Sequence, residues 1–311
     1  MPANAFLTSA AIGNREDLAD VIWNTAPSDT PFMSSIDKVK ATGVTHEWQR
    51  DVLRAPGAGS LVAEGADATY TAVVATQRLT NPCQINRVTF SISDTQEAVK
   101  SAGRPSEIRY QTVKQGKEVR KDMELAAIEN PVFVASGTRQ TRGLRGWTQT
   151  NPGLGAGAAV APNIVTNVGP TDGTLRAFTE PLLRTAILGA YTNGGNPSML
   201  MVTPSHKQVI SAGFTGNGTK FIKGEDKKLQ AAYDIYASDF GDFKIVPNRN
   251  MVRTREAYLV DDELAAVAML RDMKSEELAR IGSARNFMIE SEWSLQLREE
   301  RGMAAIRDLN A

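Results

Sequence analysis

Apolar and polar residues alternate most regularly near the C-terminal end of the chain. Phe287, Ile289, Trp293, Leu295 and Leu297 fall between Met288, Glu290, Glu292, Ser294, Gln296 and Arg298, with Ser291 as the one lapse. A period of two sends successive side chains to opposite faces, so this pattern predicts one long strand with a covered face. The same period returns at Val88, Phe90 and Ile92, separated by Thr89 and Ser91. Just upstream of the long strand, Ala257 to Val260 and Leu264 to Leu270 are apolar runs split by Asp261, Asp262 and Glu263, a turn rather than a metal cluster, since no histidine supports it.

Helical spacing dominates from Arg104 to Asn130. Pro105, Ser106 and Glu107 mark a start, and Asn130 followed by Pro131 marks a stop. Lys114 with Glu118, and Arg120 with Glu124, stand four apart and can pair, while Ile108, Thr112, Gly116, Val119, Met123 and Ala126 form a thin apolar stripe. The pattern is that of a partly buried spine. A second helix is predicted over 173–193, with Leu175, Phe178, Leu182, Leu183, Ile187 and Leu188 inward and Pro181 in its early turns. Next come a buried strand over 199–202, a turn at Thr203-Pro204-Ser205 capping a helix through Ile210, and strands over 233–236 and 243–246.

The N-terminal stretch is different. Residues 1–40 read as an arm, with a short helix from about Arg15 to Thr25 carrying Leu18, Val21 and Ile22, broken by Pro27 to Pro31. So few apolar residues cannot form a core alone, so the segment must pack elsewhere. From Thr45 to about Lys100 the chain reads as a long β excursion: Trp48, Val52 and Leu53 lead into a tip rich in glycine and alanine, and Tyr70 to Val74 lead back out. A hairpin without a core finds its partner outside its own domain.

Composition narrows the chemistry. The 311 residues suffice for a large core, and 35 basic residues balance 35 acidic ones, so no net positive field draws the chain onto nucleic acid. Cys83 is the only cysteine and His46 and His206 the only histidines, which leaves metal and nucleophile constellations nearly unbuildable. The first residues lack the basic lead and apolar core of a signal peptide and no window approaches a membrane span, so the chain reads as made and kept in the cytosol. Asn217-Gly218-Thr219 then reads as a turn rather than a glycosylation site.

Candidate motifs fail on context. Gly153-Leu154-Gly155-Ala156-Gly157-Ala158 follows Asn151-Pro152 instead of a strand, and Gly216 to Lys220 lacks phosphate-loop spacing. Glu47 with Asp51, and Glu290 with Glu292, read as solvated or interface charge rather than catalytic pairs. Arg139, Arg142 and Arg145 beside Trp147 suit either a polyanion or carboxylates of a neighbouring subunit. No catalytic, cofactor or metal residue is assigned, and no enzyme is indicated.

The order of these pieces, with Asn14-Arg15-Glu16-Asp17-Leu18-Ala19-Asp20, Pro27 to Phe32, Glu47-Trp48-Gln49-Arg50-Asp51, Glu64 to Ala68 and Ser93 to Val99, resembles tailed-bacteriophage major capsid proteins of the Hong Kong 97-like fold. Met269 to Asp272, Glu277 to Gly282 and Glu292 to Arg298 are similar to that family's closing strands. The resemblance implies an α+β fold with an N-terminal arm (1–43), an extended loop (44–100), a peripheral domain (101–172 and 264–311) holding a spine helix at 104–130, and an axial domain (173–263). It implies hexamers and pentamers closing into an icosahedral head around packaged DNA, assembled in the host bacterial cytoplasm. Implied partners are further copies of the chain, a separate scaffolding protein, a portal and a cement or decoration protein, with no membrane and no cofactor. Some members staple their loop through a lysine, but no lysine lies between Lys40 and Lys100, so arm and loop overlap is expected to be non-covalent. The rival readings are an encapsulin-type cellular compartment, an enzyme of unrelated class and a stand-alone binding module.

Overall fold

The computed structural model describes residues 29–54, 56–99, 105–214 and 235–310. Two sheets and a long helix share two cores. A four-stranded sheet takes the order β1 (Asp37–Lys40), β9 (Ala265–Leu278), β10 (Ala284–Leu297), β4 (Gln84–Ser93), with β1 parallel to β9 and the other pairs antiparallel. The predicted long strand is β10. Its pairing with β9 slips between Glu290 and Trp293, so Ser291, the lapse in the alternation, sits at a bulge and is itself buried.

The spine is α3 (Glu107–Glu129). Ser106 caps it by accepting from the Arg109 N–H at 3.3 Å, and Glu97, on the short helix α2 (Asp94–Ala98), accepts from the N–H groups of Glu107 and Ile108 at 3.0 and 3.2 Å. Only the C-terminal half is sealed: Val119, Met123, Ala126, Ala127 and Ile128 are buried, whereas Ile108, Thr112 and Gly116 are half-buried beside β4. Lys114 and Glu118 pair at 3.9 Å. Arg120 and Glu124 do not, because Glu124 turns inward to other donors.

A five-stranded sheet runs β11 (Ala304–Ile306), β8 (Ala257–Val260), β5 (Met199–Val202), β7 (Gly241–Pro247), β6 (Ile235–Ser238). It is the wall between the cores. On one face Met199, Met201, Tyr258 and Val260 join the spine, Trp147 and β10; on the other Leu200, Val202, Ala257 and Leu259 meet α5 (Glu180–Thr192) and α6 (Pro204–Gly213). Burial on both faces explains why Met199 to Val202 is apolar without alternation. Thr203 caps α6 as expected, and Asp262–Leu264 is a single 3₁₀ turn whose preceding Asp261 carboxylate accepts from Glu263 N–H.

Two expectations need correction. The helix expected over 173–193 begins only at Glu180, with Pro181 in its first turn. Residue 176 is committed elsewhere: Arg176 N–H donates to Asp308 O and its carbonyl accepts from Asn310 N–H, a bridge that extended backbone alone can make. Leu175 is consequently exposed, and Leu188, expected inward, lies exposed on the face of the helix opposite Leu183, Ala186 and Ala190. The excursion over 44–100 is not one hairpin either. Residues 84–93 are the edge strand β4 of the main sheet, where Phe90 stacks on Phe287 at 5.3 Å, and Tyr70 to Val74 form no strand. The arm helix expected over 15–25, Asn217 and Tyr233–Asp234 lie outside the described residues.

Candidate assembly surfaces

The extended loop has a rooted base and an open end. β2 (Thr45–Arg50) pairs with β3 (Gln77–Pro82) in a two-stranded ribbon. Trp48 plugs it into the body: its Nε1–H donates to Leu297 O at 2.9 Å and its ring lies 5.4 Å from that of Trp147. On β3, Asn81 donates to Arg142 O (3.1 Å) and Leu295 O (2.7 Å) while accepting from Arg142 N–H (2.8 Å). Beyond this root every described side chain from 51 to 76 is exposed. Leu53, Leu61, Val62, Tyr70, Val73 and Val74 are 79 to 97 % exposed. An isolated exposed leucine means little, but six such side chains on one uncored segment forgo roughly 1.5–3 kcal/mol each of burial, which only a second surface can recover.

The arm enters through a buried carboxylate. Glu124 Oε1 accepts from Phe32 N–H (2.8 Å) and Asn248 Nδ2–H (2.8 Å), and Oε2 from Met33 N–H (2.9 Å). It thereby fastens the first turn of α1 (Pro31–Ser35) to the spine and to the segment after β7. Burial raises its pKa, opposed by those three hydrogen bonds. Asn250 extends the clasp by donating to Asp29 O at 2.6 Å. A single charged residue amid the otherwise apolar run Met123 to Ile128 was the signal for it in the sequence.

The three arginines beside Trp147 are engaged by groups of their own chain, partners that the sequence reading did not name. Arg142 is buried between the rings of Trp147 and Phe133, 4.8 and 4.9 Å from their centroids, and donates to Ile164 O (3.1 Å) and Asn167 Oδ1 (2.8 Å). Burial pushes its guanidinium down to about 10. Arg139 pairs with Glu292 at 2.7 Å. Arg145 reaches Glu256 (3.0 Å) and Asp172 (3.2 Å), joining Arg253, Arg255 and Arg307 around the same two carboxylates. Burial opposes the Asp172 charge, yet Arg253, Arg145 and Arg255 hold it below the usual carboxylate range. Burial, then Glu256, pushes the Tyr258 phenol well above its ordinary range, so it keeps its proton and donates to Glu256.

Glu290 and Glu292 are not solvated. Strand register sets Glu290 opposite Arg87 and Glu292 opposite Arg271, and the pairs close at 2.5 Å (Arg87–Glu290) and 2.7 Å (Arg271–Glu292). Glu47 faces Arg78 at 3.5 Å on the exposed ribbon, and the Asp51 carboxylate accepts from the Val52 N–H. Burial, then Glu292, pushes the Cys83 thiol up to about 11, away from nucleophilic thiolate. Burial lowers the His206 pKa, and its Nε2 lies 2.8 Å from Asn310 O. The glycine-rich connection wraps a carboxylate instead of a nucleotide: Asp308 accepts from Gly155 and Gly173 N–H at 2.8 and 2.7 Å, and a Cβ at residue 155 would sit 2.6 Å from Thr174 O. Among the described residues no group of histidine, cysteine and carboxylate side chains could hold a metal, and no helix is long and apolar enough to cross a membrane.

A half-sealed spine, a sheet that carries it and a loop projecting from the body make up a fold found in solved capsids. The Cyanophage A-1(L) capsid asymmetric unit shares it at a TM-score of 0.67 with 14% identity, covering 98% of this chain and 99% of that one. The capsid of the native GTA particle does so at 0.68 with 12% identity, covering 97% and 98%. These likenesses show an α+β fold of the Hong Kong 97-like kind. The family model for the SU10 major capsid protein matches residues 4–310, and the chain belongs to that family. The major capsid protein of Escherichia phage Phieco32 is 26% identical over 328 residues, spanning 92% of each chain. The protein is therefore a structural subunit of a phage head.

Proposed function

We propose that copies of this chain assemble as hexamers and pentamers into the icosahedral head that encloses packaged phage DNA, held by non-covalent overlap of arm and loop. The observation that carries this is the loop at 51–76, whose apolar side chains are almost fully exposed while its base is bonded into the core. The arm (1–43), loop (44–100), peripheral domain (101–172 and 264–311) and axial domain (173–263) act as the parts of that assembly unit, with β4 as the stretch where loop and peripheral sheet merge. Membership of a capsid-protein family supports a mechanical role. A scaffolding protein, a portal and a cement or decoration protein are the expected partners, with assembly in the host bacterial cytoplasm.

Expression of the chain alone, followed by size-exclusion chromatography and negative-stain electron microscopy, tests this. Shells, hexamers or pentamers are expected, and native particles should carry DNA, not an enzyme cargo. A homogeneous monomer that stayed unassembled beside its neighbouring phage proteins would refute it. The absence of lysine from 41–99 supports the non-covalent reading, and a ladder of linked subunits on a denaturing gel of mature heads would overturn it.

A further inference from the structure

The arginine cluster described above is unbalanced. Arg145, Arg253, Arg255 and Arg307 share only Asp172 and Glu256. A third carboxylate, Glu129, accepts from the Arg253 backbone N–H at 2.7 Å, and counting it still leaves the cations in excess. Arg307 is buried, donating through Nη2 to Arg145 O and Thr148 Oγ1, yet its Nε lacks a hydrogen-bond partner, and its Nη1 and the Nε of Arg253 reach Glu256 only at 3.9 and 3.4 Å, too far or too bent for a hydrogen bond. Buried cationic donors left in excess favour an added anion. The outer end of the cluster is accessible, with the Arg255 side chain 43 % exposed and held, among the described residues, only by Asp172 at 3.6 Å. Apolar side chains flank it: Val252, next to Arg253, is 72 % exposed, and Val160, bridged to Thr171 beside Asp172, is 53 % exposed.

The loop tip is the complement of that surface. Between Arg54 and Arg78 the only charged residues are Glu64 and Asp67. Both are exposed, and they stand among Leu61, Val62, Tyr70, Val73 and Val74. We infer that the acidic, apolar loop tip of one copy docks on the arginine cluster of a second copy, with Glu64 or Asp67 as the carboxylate that meets Arg255 and Arg253. This rests on the shell-forming role proposed above and gives one of its contacts a chemistry. Attraction of opposite charges sets orientation and encounter, while the valines and the loop's apolar side chains supply area.

A charge swap tests it. E64R/D67R and R255E should each raise the protein concentration needed for shells, by roughly tenfold, and the combined variant should recover most of that loss. Melting of the unassembled subunits should change little, and R255Q, which removes charge without repelling Asp172, should show an intermediate assembly defect. As a second readout, Arg255→Cys with either Glu64→Cys or Asp67→Cys should give dimers linked between copies by a bismaleimide whose reach matches a carboxylate–arginine pair, which lies beyond the span of a direct disulfide, since the native Cys83 is buried. Independent, additive defects in the swap, or no linkage in intact shells, would overturn the docking. Normal assembly of R255E with weakened binding of short duplex DNA would assign the cluster to phosphates and overturn it too. If the unaltered chain forms no shells, the proposed function fails; if it forms shells and the swap is uncoupled, only this contact fails.

Discussion

Replacing Glu124 with alanine removes the one acceptor shared by Phe32 N–H, Met33 N–H and Asn248 Nδ2–H. Each stranded donor costs about 1–3 kcal/mol, and relief from burying a carboxylate offsets part of the sum, so the net loss is about 3 kcal/mol. For a chain of 311 residues that lowers the melting temperature by roughly 4–5 °C. Differential scanning calorimetry of dilute, unassembled subunits reads it, and hydrogen exchange locates it: the Phe32 and Met33 amides should lose protection while amides of β10 keep theirs. Glu124→Gln keeps the shape and loses one acceptor, so it should fall between. The pH dependence has a definite sign. Burial raises the Glu124 pKa in the folded chain, so its contribution is fully present below the unfolded pKa and is lost as pH rises through the folded pKa. Glu124→Gln should flatten that part of the stability profile. A melting temperature within a degree of wild type, with Phe32 and Met33 still protected, would refute the clasp.

Other outcomes follow from the same packing. Arg142→Lys keeps the charge but loses the planar stack and the two-pronged contacts to Ile164 O and Asn167, and should cost about 2–4 kcal/mol by chemical denaturation. Trp293→Ala empties a fully buried site and frees Asn86, costing about 3–5 kcal/mol in the same assay. Replacing residues 56–75 by a short glycine-serine linker should leave subunit melting nearly unchanged and abolish shells in negative stain, because every described side chain there is exposed.

Local patterns carried much of the fold. Alternation from Phe287 to Leu297 revealed β10, with the lapse at Ser291 falling where the structure has a bulge, and Ser106 with Pro131 bracketed the spine to within a few residues. Partners far along the chain were illegible. Val88, Phe90 and Ile92 announced a strand with one covered face, but alternation cannot say whether the strand pairs within a loop or with β10 some 200 residues later. Likewise, Arg139 and Arg145 read as free cations because the carboxylates that engage them, Glu292 and Glu256, are brought near only by strand register and chain crossing. Helix periodicity over 173–193 was a false cue at its first turns, since Arg176 is claimed by the C-terminal segment. The exposure of the loop was legible for a simple reason: a segment with glycine, alanine and scattered apolar residues has no way to build a core of its own.

In a closed shell, one chain must meet its neighbours at more than one tilt, since five-fold and six-fold positions differ in local curvature. The ribbon of β2 and β3 cannot supply that adjustment, because Trp48 and Asn81 bolt it to β10 and to the Arg142 segment. Residues 51–76 can supply it, having no strand pairing to break when they bend. The length of that span therefore governs how wide a range of head curvatures a single sequence can serve, and trimming it while sparing Leu61, Val62, Tyr70, Val73 and Val74 should narrow the distribution of particle diameters before it prevents closure.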